Sequence, residues 1–202
     1  MKKKAIIISI KGYSLSINEK NLLAKERPWG LILFKRNIKS LRQVKKLIKK
    51  IRKLTKDSKF PIMIDEEGSS VSRLKEIINH NFSQKSLGDI YKINKEVSLF
   101  FYKDYINNLT NFLKKIGINI NTVPVLDVLR ENTNKIIGNR SFSNDPNIVK
   151  KLGQICVKQY ELNKLATVIK HVPGHGCASL DSHLKMPKVK LNYRDLNKID
   201  FL

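Results

Sequence analysis

Acidic residues are scarce in this chain. Seventeen Asp and Glu face 40 Lys and Arg, a net charge of +23 over 202 residues. Such an excess normally points to a nucleic acid or a membrane surface. Here it is nearly all Lys, it is spread along the whole chain, and Lys, Ile and Asn are enriched together, as in products of A/T-rich genomes. The densest run, 45–56, keeps Val44, Leu47, Ile48, Ile51 and Leu54 at helical spacing. That pattern predicts an amphipathic helix with a solvated basic face, so no specific nucleic-acid partner is expected. Cysteine is almost missing too. Cys156 and Cys177 form neither a disulfide framework nor a metal-ligand spacing, which suits a reducing cytoplasm. Cys156 falls in a helical pattern and is expected in the core, Cys177 in a loop as a small neutral residue. Long apolar runs are absent: none can span a bilayer, and no membrane partner is expected. The run Ala5–Ile10 after Met1-Lys-Lys-Lys is too short for a secretion signal and is closed by Lys11, so it predicts a first strand. There is no low-complexity linker and no internal repeat.

What is present is an alternation. Apolar strand candidates recur at Ala5–Ile10, Leu31–Phe34, Pro61–Ile64, Ile118–Asn121 and Ala166–Ile169. Between them lie helical patterns at Lys39–Leu54, Lys95–Ile116 and Asn147–Leu162, the last opened by Ser143-Asn-Asp-Pro-Asn. His80–Asn94 is less regular and reads as a long connection with a short helix. The hydrophobic fraction of 41% is ample for a core. Alternating elements predict an α/β fold built on a parallel sheet. Four of the strands run into polar residues: Lys35-Arg36-Asn37, Asp65-Glu66-Glu67-Gly68, Asn121 with Asp127, and Lys170-His171. Polar strand ends in series suggest strands pointing their C-terminal ends at one pocket, as in α/β barrels.

The densest chemistry lies at Lys170-His-Val-Pro-Gly-His-Gly-Cys-Ala-Ser-Leu-Asp-Ser-His183, with three histidines, an aspartate and two glycines. In extended backbone, residues two apart point to the same side. Asp181 and His183 are then either a carboxylate–imidazole pair, able to shuttle a proton near neutral pH, or parts of an ordinary turn. His171 and His175 are four apart, but Pro173 and Gly174 forbid the helix of a metalloprotease. A zinc site of His171, His175 and His183 stands against the better reading, histidines that donate to ligand hydroxyls or hold the loop. Asp65-Glu-Glu-Gly68 is an acidic metal cluster or a turn. Asp65 is the member a strand end points into the pocket, where a carboxylate can accept two hydroxyl hydrogen bonds, while Glu66 and Glu67 are expected to face outward. Arg73, Arg140 and Lys170 are cationic donors or surface charges. His80 has no partner in sequence and is read as structural.

These residues carry a resemblance. The chain resembles the family 3 glycoside hydrolases, and within them the bacterial β-N-acetylglucosaminidases of cell-wall recycling. Gly30-Leu-Ile-Leu-Phe-Lys-Arg-Asn37 is similar to the family's second strand. Ile64-Asp-Glu-Glu-Gly-Ser-Ser-Val-Ser-Arg73 resembles its Asp-Gln-Glu-Gly-Gly-x-Val-x-Arg signature, and Asn121-Thr-Val-Pro-Val-Leu-Asp127 its Pro-Val-x-Asp strand end. Ile137-Gly-Asn-Arg-Ser-Phe142 and Lys170-His-Val-Pro-Gly-His-Gly176 follow, and Asp181-Ser-His183 marks the N-acetylglucosaminidase branch. The resemblance implies a (β/α)8 TIM barrel that removes terminal β-linked N-acetylglucosamine with retention. It implies His183 as acid/base held by Asp181, and Asp65, Arg73, Arg140, Lys170 and His171 holding the sugar. No metal or organic cofactor is implied, and the partner is an N-acetylglucosamine-containing saccharide such as a muropeptide.

The chain departs from the family at three places. Glu66 replaces the signature Gln. Ser69 stands where the signature has a second Gly, a strained exchange if positive φ is needed there. Residues 1–202 hold about five βα units, so the expectation is an incomplete N-terminal barrel domain. The later strands would carry the nucleophilic aspartate, which nothing upstream, Asp127 included, replaces. A fragment of a split or decayed gene would be inactive alone and poorly soluble, because open edges expose interior side chains. The alternative to an enzyme is a non-catalytic remnant that binds sugar or a complementing chain.

Overall fold

The computed structural model describes residues 3–181 and 184–201. Five strands form one parallel sheet in the order of the chain: β1 (Lys4–Ile8), β2 (Pro28–Leu33), β3 (Ile62–Ile64), β4 (Ile120–Asn121) and β5 (Ala166–Thr167). The register sets Ile8 beside Leu31, Leu33 beside Ile64, Ile64 beside Asn121 and Asn121 beside Thr167. All C-terminal ends therefore lie on one side. β4 and β5 are shorter than the apolar runs predicted. Their pairing continues as single contacts: Val168 N–H to the Asn121 carbonyl at 3.1 Å and Lys170 N–H to the Pro124 carbonyl at 3.3 Å.

The helices are α1 (Ile17–Glu26), α2 (Leu41–Thr55), α3 (Gln84–Ile93), α4 (Lys95–Ile116), α5 (Pro146–Leu162) and α6 (Tyr193–Ile199). α2 follows its pattern: Ser40 accepts from the Gln43 N–H, and Val44, Leu47, Ile48 and Ile51 are buried. Each such burial contributes on the order of 1.5–3 kcal/mol. α4 has the predicted boundaries, started by Asn94 accepting from the Val97 N–H. α3 is the short helix in the 80–94 stretch. α1 had no sequence prediction, because only Leu23 of its ten residues is buried. Its legible signal is the capping box of Ser16 and Glu19.

Leu31, Leu33, Ile62 and Ile64 pack with α2, α4 and α5 in one continuous core that also takes in Cys156, as expected. The edge strands differ. Ile6 and Ile7 on β1 are 52% and 40% exposed, and Val168 and Ile169 beyond β5 are 39% and 50% exposed. Among the described residues no helix is long and apolar enough to cross a membrane.

Candidate active site

Three strand ends and the turn Gly138–Arg140 bring together Asp65, Arg73, Arg140, Lys170 and His171, all five of the predicted sugar-holding residues. Asp65 follows β3. Its Oδ2 accepts from Arg73 Nη2 at 3.0 Å, and its Oδ1 accepts from Thr122 Oγ1 and from Lys170 Nζ at 3.5 Å. Lys170 Nζ also donates to Thr122 Oγ1 at 2.9 Å and to Glu67 Oε1. Glu67 in turn accepts from Arg140 Nε at 2.7 Å and Nη2 at 3.0 Å, the two-pronged geometry that favours arginine. Arg140 Nη2 lies 3.3 Å from His171 Nε2, and His171 Nδ1 lies 2.6 Å from Asp127 Oδ2. The network runs unbroken from Arg73 to Asp127.

Asp65 retains an opening. A carboxylate has about four lone-pair sites. Thr122, Arg73 and the more distant Lys170 occupy three, and the side chain is 16% exposed. Burial alone would raise its pKa. The Thr122 hydrogen bond and the charges of Lys170 and Arg73 outweigh burial and hold the carboxyl below its ordinary value. Asp127 has no such opening. It is fully buried, and its other oxygen accepts the His175 N–H at 2.6 Å.

Four corrections to the sequence reading follow. Glu66 and Glu67 face inward, at 0% and 5% exposure. The chain does not stay extended past β3: Glu67 and Gly68 N–H both donate to the Val71 carbonyl, turning the loop back on itself. His80 has a partner, Glu66 Oε1, 2.9 Å from its Nε2. Ser69 carries no left-handed strain, since the non-glycine residues of positive φ among those described are Arg27, Lys56 and Lys164. The strained position is Gly68, with φ 153°, where a Cβ would lie 2.6 Å from the Phe82 carbonyl oxygen. Finally, the polar end of β2 does not join the site. Asn37 is buried and donates to the Ile10 and Gly12 carbonyls, fixing the loop after β1.

The histidine loop is held from behind. Arg130 pairs with Asp200, whose carboxyl is pushed up by burial against the opposing pull of Arg130. Gly174, with φ 137°, passes so close that a Cβ would stand 2.4 Å from Asp200 Oδ1. Burial also pushes the Cys177 thiol up, consistent with its neutral role. His171 faces Asp127 and Arg140 rather than a shared ligand point with His175, whose ring centroid is 5.8 Å away. Among the described residues no three His, Cys, Asp or Glu are grouped as metal ligands. Asp181 opens a turn, its carbonyl accepting from Lys185 N–H at 2.9 Å. His183 lies outside the described residues, and with it the predicted Asp181–His183 pair. Glu66, Glu67, Asn121 and Asp127, marked in sequence only as polar strand ends, join the network together with Thr122, which sequence did not single out. The signals available were the Asp-Glu-Glu and Pro-Val-x-Asp strand ends.

Comparison with known proteins gives a consistent picture. The model of the glycosyl hydrolase family 3 N-terminal domain matches residues 4–202. A beta-hexosaminidase of Hydrogenovibrio crunogenus is 31% identical over 194 residues, 96% of this chain and 53% of the relative. The crystal structure of NagZ from Neisseria gonorrhoeae in complex with N-trifluoroacetyl-D-glucosamine superimposes with a TM-score of 0.89 at 29% identity, covering 98% of this chain and 57% of that one. A family 3 beta-N-acetylglucosaminidase from Paenibacillus sp. str. FPU-7 gives 0.86 at 26% identity, covering 96% and 36%. The chain thus spans about half the length of the curated relatives it matches.

Proposed function

The chain belongs to glycosyl hydrolase family 3 through its N-terminal domain, and on that premise we propose that it forms the sugar-holding part of a β-N-acetylglucosaminidase acting on cell-wall muropeptides in the cytoplasm. The observation that carries this reading is the cluster at Asp65: an ionised, partly open carboxylate flanked by Arg73, Lys170 and Thr122, beside His171 and Arg140. Neighbouring sugar hydroxyls would donate to Asp65 and accept from the cationic side chains, an arrangement suited to a neutral polyol. In the proposed reaction the His183 imidazole, oriented by Asp181, gives a proton to the glycosidic oxygen and later takes one from water.

A retaining mechanism also needs a carboxylate that attacks the anomeric carbon. Asp127 does not qualify, because its oxygens are engaged by His171 and the His175 N–H and it is fully buried. Asp65 keeps one open lone-pair site, which this reading assigns to the sugar hydroxyls and not to the anomeric carbon. The nucleophile in this reading comes from strands that extend the sheet at β1 and β5, whose exposed Ile6, Ile7, Val168 and Ile169 favour an added segment or a complementing chain. The second reading, a sugar-binding module without catalysis, rests on the engagement of Asp127 and on the sugar-holding part given to Asp65 among the described residues.

The test is hydrolysis of a chromogenic β-N-acetylglucosaminide by residues 1–202, with and without a chain carrying the remaining strands. The expected result is no turnover alone and turnover on addition, abolished by His183→Ala. Turnover by 1–202 alone would refute the assignment of the nucleophile. Sugar binding that never becomes turnover would favour the module.

A further inference from the structure

Glu66 is fully buried beside the site, and its carboxylate is engaged by backbone and by His80 rather than by the Asp65 cluster. Its Oε2 accepts two backbone N–H groups, Arg73 at 2.9 Å and Leu74 at 3.0 Å. Its Oε1 lies 2.9 Å from His80 Nε2. Its own backbone is clamped to β4: Asn121 Oδ1 accepts the Glu66 N–H and Asn121 Nδ2 donates to the Glu66 carbonyl, each at 2.9 Å. The Asn121 amide also reaches Tyr160 Oη at 2.8 Å in the core. One carboxylate therefore closes residues 66–74 into a ring anchored on the sheet. Arg73 leaves that ring with its guanidinium 3.0 Å from Asp65.

We propose that Glu66, braced by His80, is a positioning residue of the sugar subsite that acts through Arg73. The inference rests on the reading of Asp65 and Arg73 as sugar-holding residues. An ionised Glu66 can only accept hydrogen bonds, so His80 Nε2 must donate to it, and His80 Nδ1 is buried without a partner. Behind the pair stands Tyr105, edge-on to His80 at 5.7 Å, its phenol pushed up first by burial and then by the Glu66 charge. Glu66 and Leu74 are fully buried, and His80 is 17% exposed, so an unpaired backbone N–H at Leu74 is costly. Without the carboxylate, the Arg73 and Leu74 N–H groups lose their acceptor, the ring opens and the guanidinium swings away from Asp65. An amide oxygen can take both N–H groups and an amide NH2 can face a histidine acceptor, so the device tolerates Gln but not Ala.

The experiment is a mutant cycle on the full chain, read as binding of methyl β-N-acetylglucosaminide by NMR. Glu66→Ala and Arg73→Ala should each weaken binding about tenfold, and the double variant also about tenfold, because the first acts only through the second. Glu66→Gln should bind as the parent does. A double variant weakened about a hundredfold would show independent action and overturn the inference. So would a Glu66→Gln variant as impaired as Glu66→Ala. If Glu66→Ala does not fold, His80→Ala enters the same cycle with a smaller single effect and the same absence of addition to Arg73→Ala. Should Asp65→Asn and Arg73→Ala leave binding unchanged, the sugar-subsite reading fails. Amide exchange at Arg73 and Leu74 then judges the ring alone: protected in the parent and Glu66→Gln, rapid in Glu66→Ala, with protection in all three refuting it.

Discussion

Asp65 and Asp127 end or follow neighbouring strands, yet they are built for different work. Asp65 is partly open, with cationic and hydroxyl donors around it and lone-pair capacity left over. Asp127 is sealed, with one oxygen on His171 and the other on the backbone of the next loop. Both are carboxylates at the polar end of one sheet. What separates them is who their partners are. Asp65 is paired with side chains that can also turn toward a ligand. Asp127 is paired with His171 and with the backbone of the loop that follows Lys170. In the proposed reading a binding group and a scaffold group thus share one chemistry, distinguished by exposure and by whether any acceptor capacity remains.

The largest expected effect breaks the scaffold side. Asp127→Ala leaves His171 Nδ1, on a side chain 34% exposed, and the His175 N–H without their carboxylate acceptor, and should cost about 2 kcal/mol of unfolding free energy. Urea denaturation of the full chain measures it. A loss below about 1 kcal/mol would mean that water replaces the carboxylate, and that Asp127 is less sealed than its burial implies.

Much of this contrast was legible in the sequence, and its limits have physical causes. Lys95–Ile116 was read to the residue because its apolar spacing, Asn cap and terminal Gly117 agree. The five strands were found in order because each is a short apolar run in an otherwise Lys-rich chain. Asp65, Arg73, Arg140, Lys170 and His171 were found through motif resemblance, and the fold brings them into one network. Glu66 and Glu67 were misjudged because strand alternation was carried past Ile64, where the chain already turns on Val71. Asp127 is legible in sequence as a polar strand end and a poor nucleophile, but not as the holder of the histidine loop, since its partners lie 44 and 48 residues away. No local pattern reports such a contact.

The next effect breaks the ligand side. Asp65→Asn keeps the shape but removes the charge, and should weaken binding of methyl β-N-acetylglucosaminide by at least about tenfold while costing only about 1 kcal/mol of stability. Calorimetry and denaturation, run on the same variant, separate the two. The pH dependence sharpens the point. The folded value of Asp65 lies below its unfolded value of about 3.9, so its contribution to stability is complete above that pH and is lost as pH falls through the folded value. Asp65→Asn should therefore flatten the acid limb of the stability curve below about pH 4 and leave the neutral region nearly parallel to the parent. An unchanged acid limb would place the carboxyl's stabilising partners elsewhere.

The smallest effect tests whether Asp65 is tuned rather than merely surrounded. Thr122 donates to Asp65 and accepts from Lys170 at 2.9 Å, so one hydroxyl links both sides of the proposed subsite. Thr122→Val keeps the volume and removes that link. Lys170 retains Glu67, and Asp65 retains Arg73, so neither charge is left alone. The expected cost is about 1 kcal/mol, with sugar affinity reduced by a few-fold at most. The sign of the accompanying shift decides the matter. Loss of the hydroxyl removes a hydrogen bond to the ionised form, so the acid limb should move toward higher pH. If that limb stays where it is, Lys170 and Arg73 alone hold the carboxylate ionised, and Thr122 belongs with Asp127 on the scaffold side of the comparison.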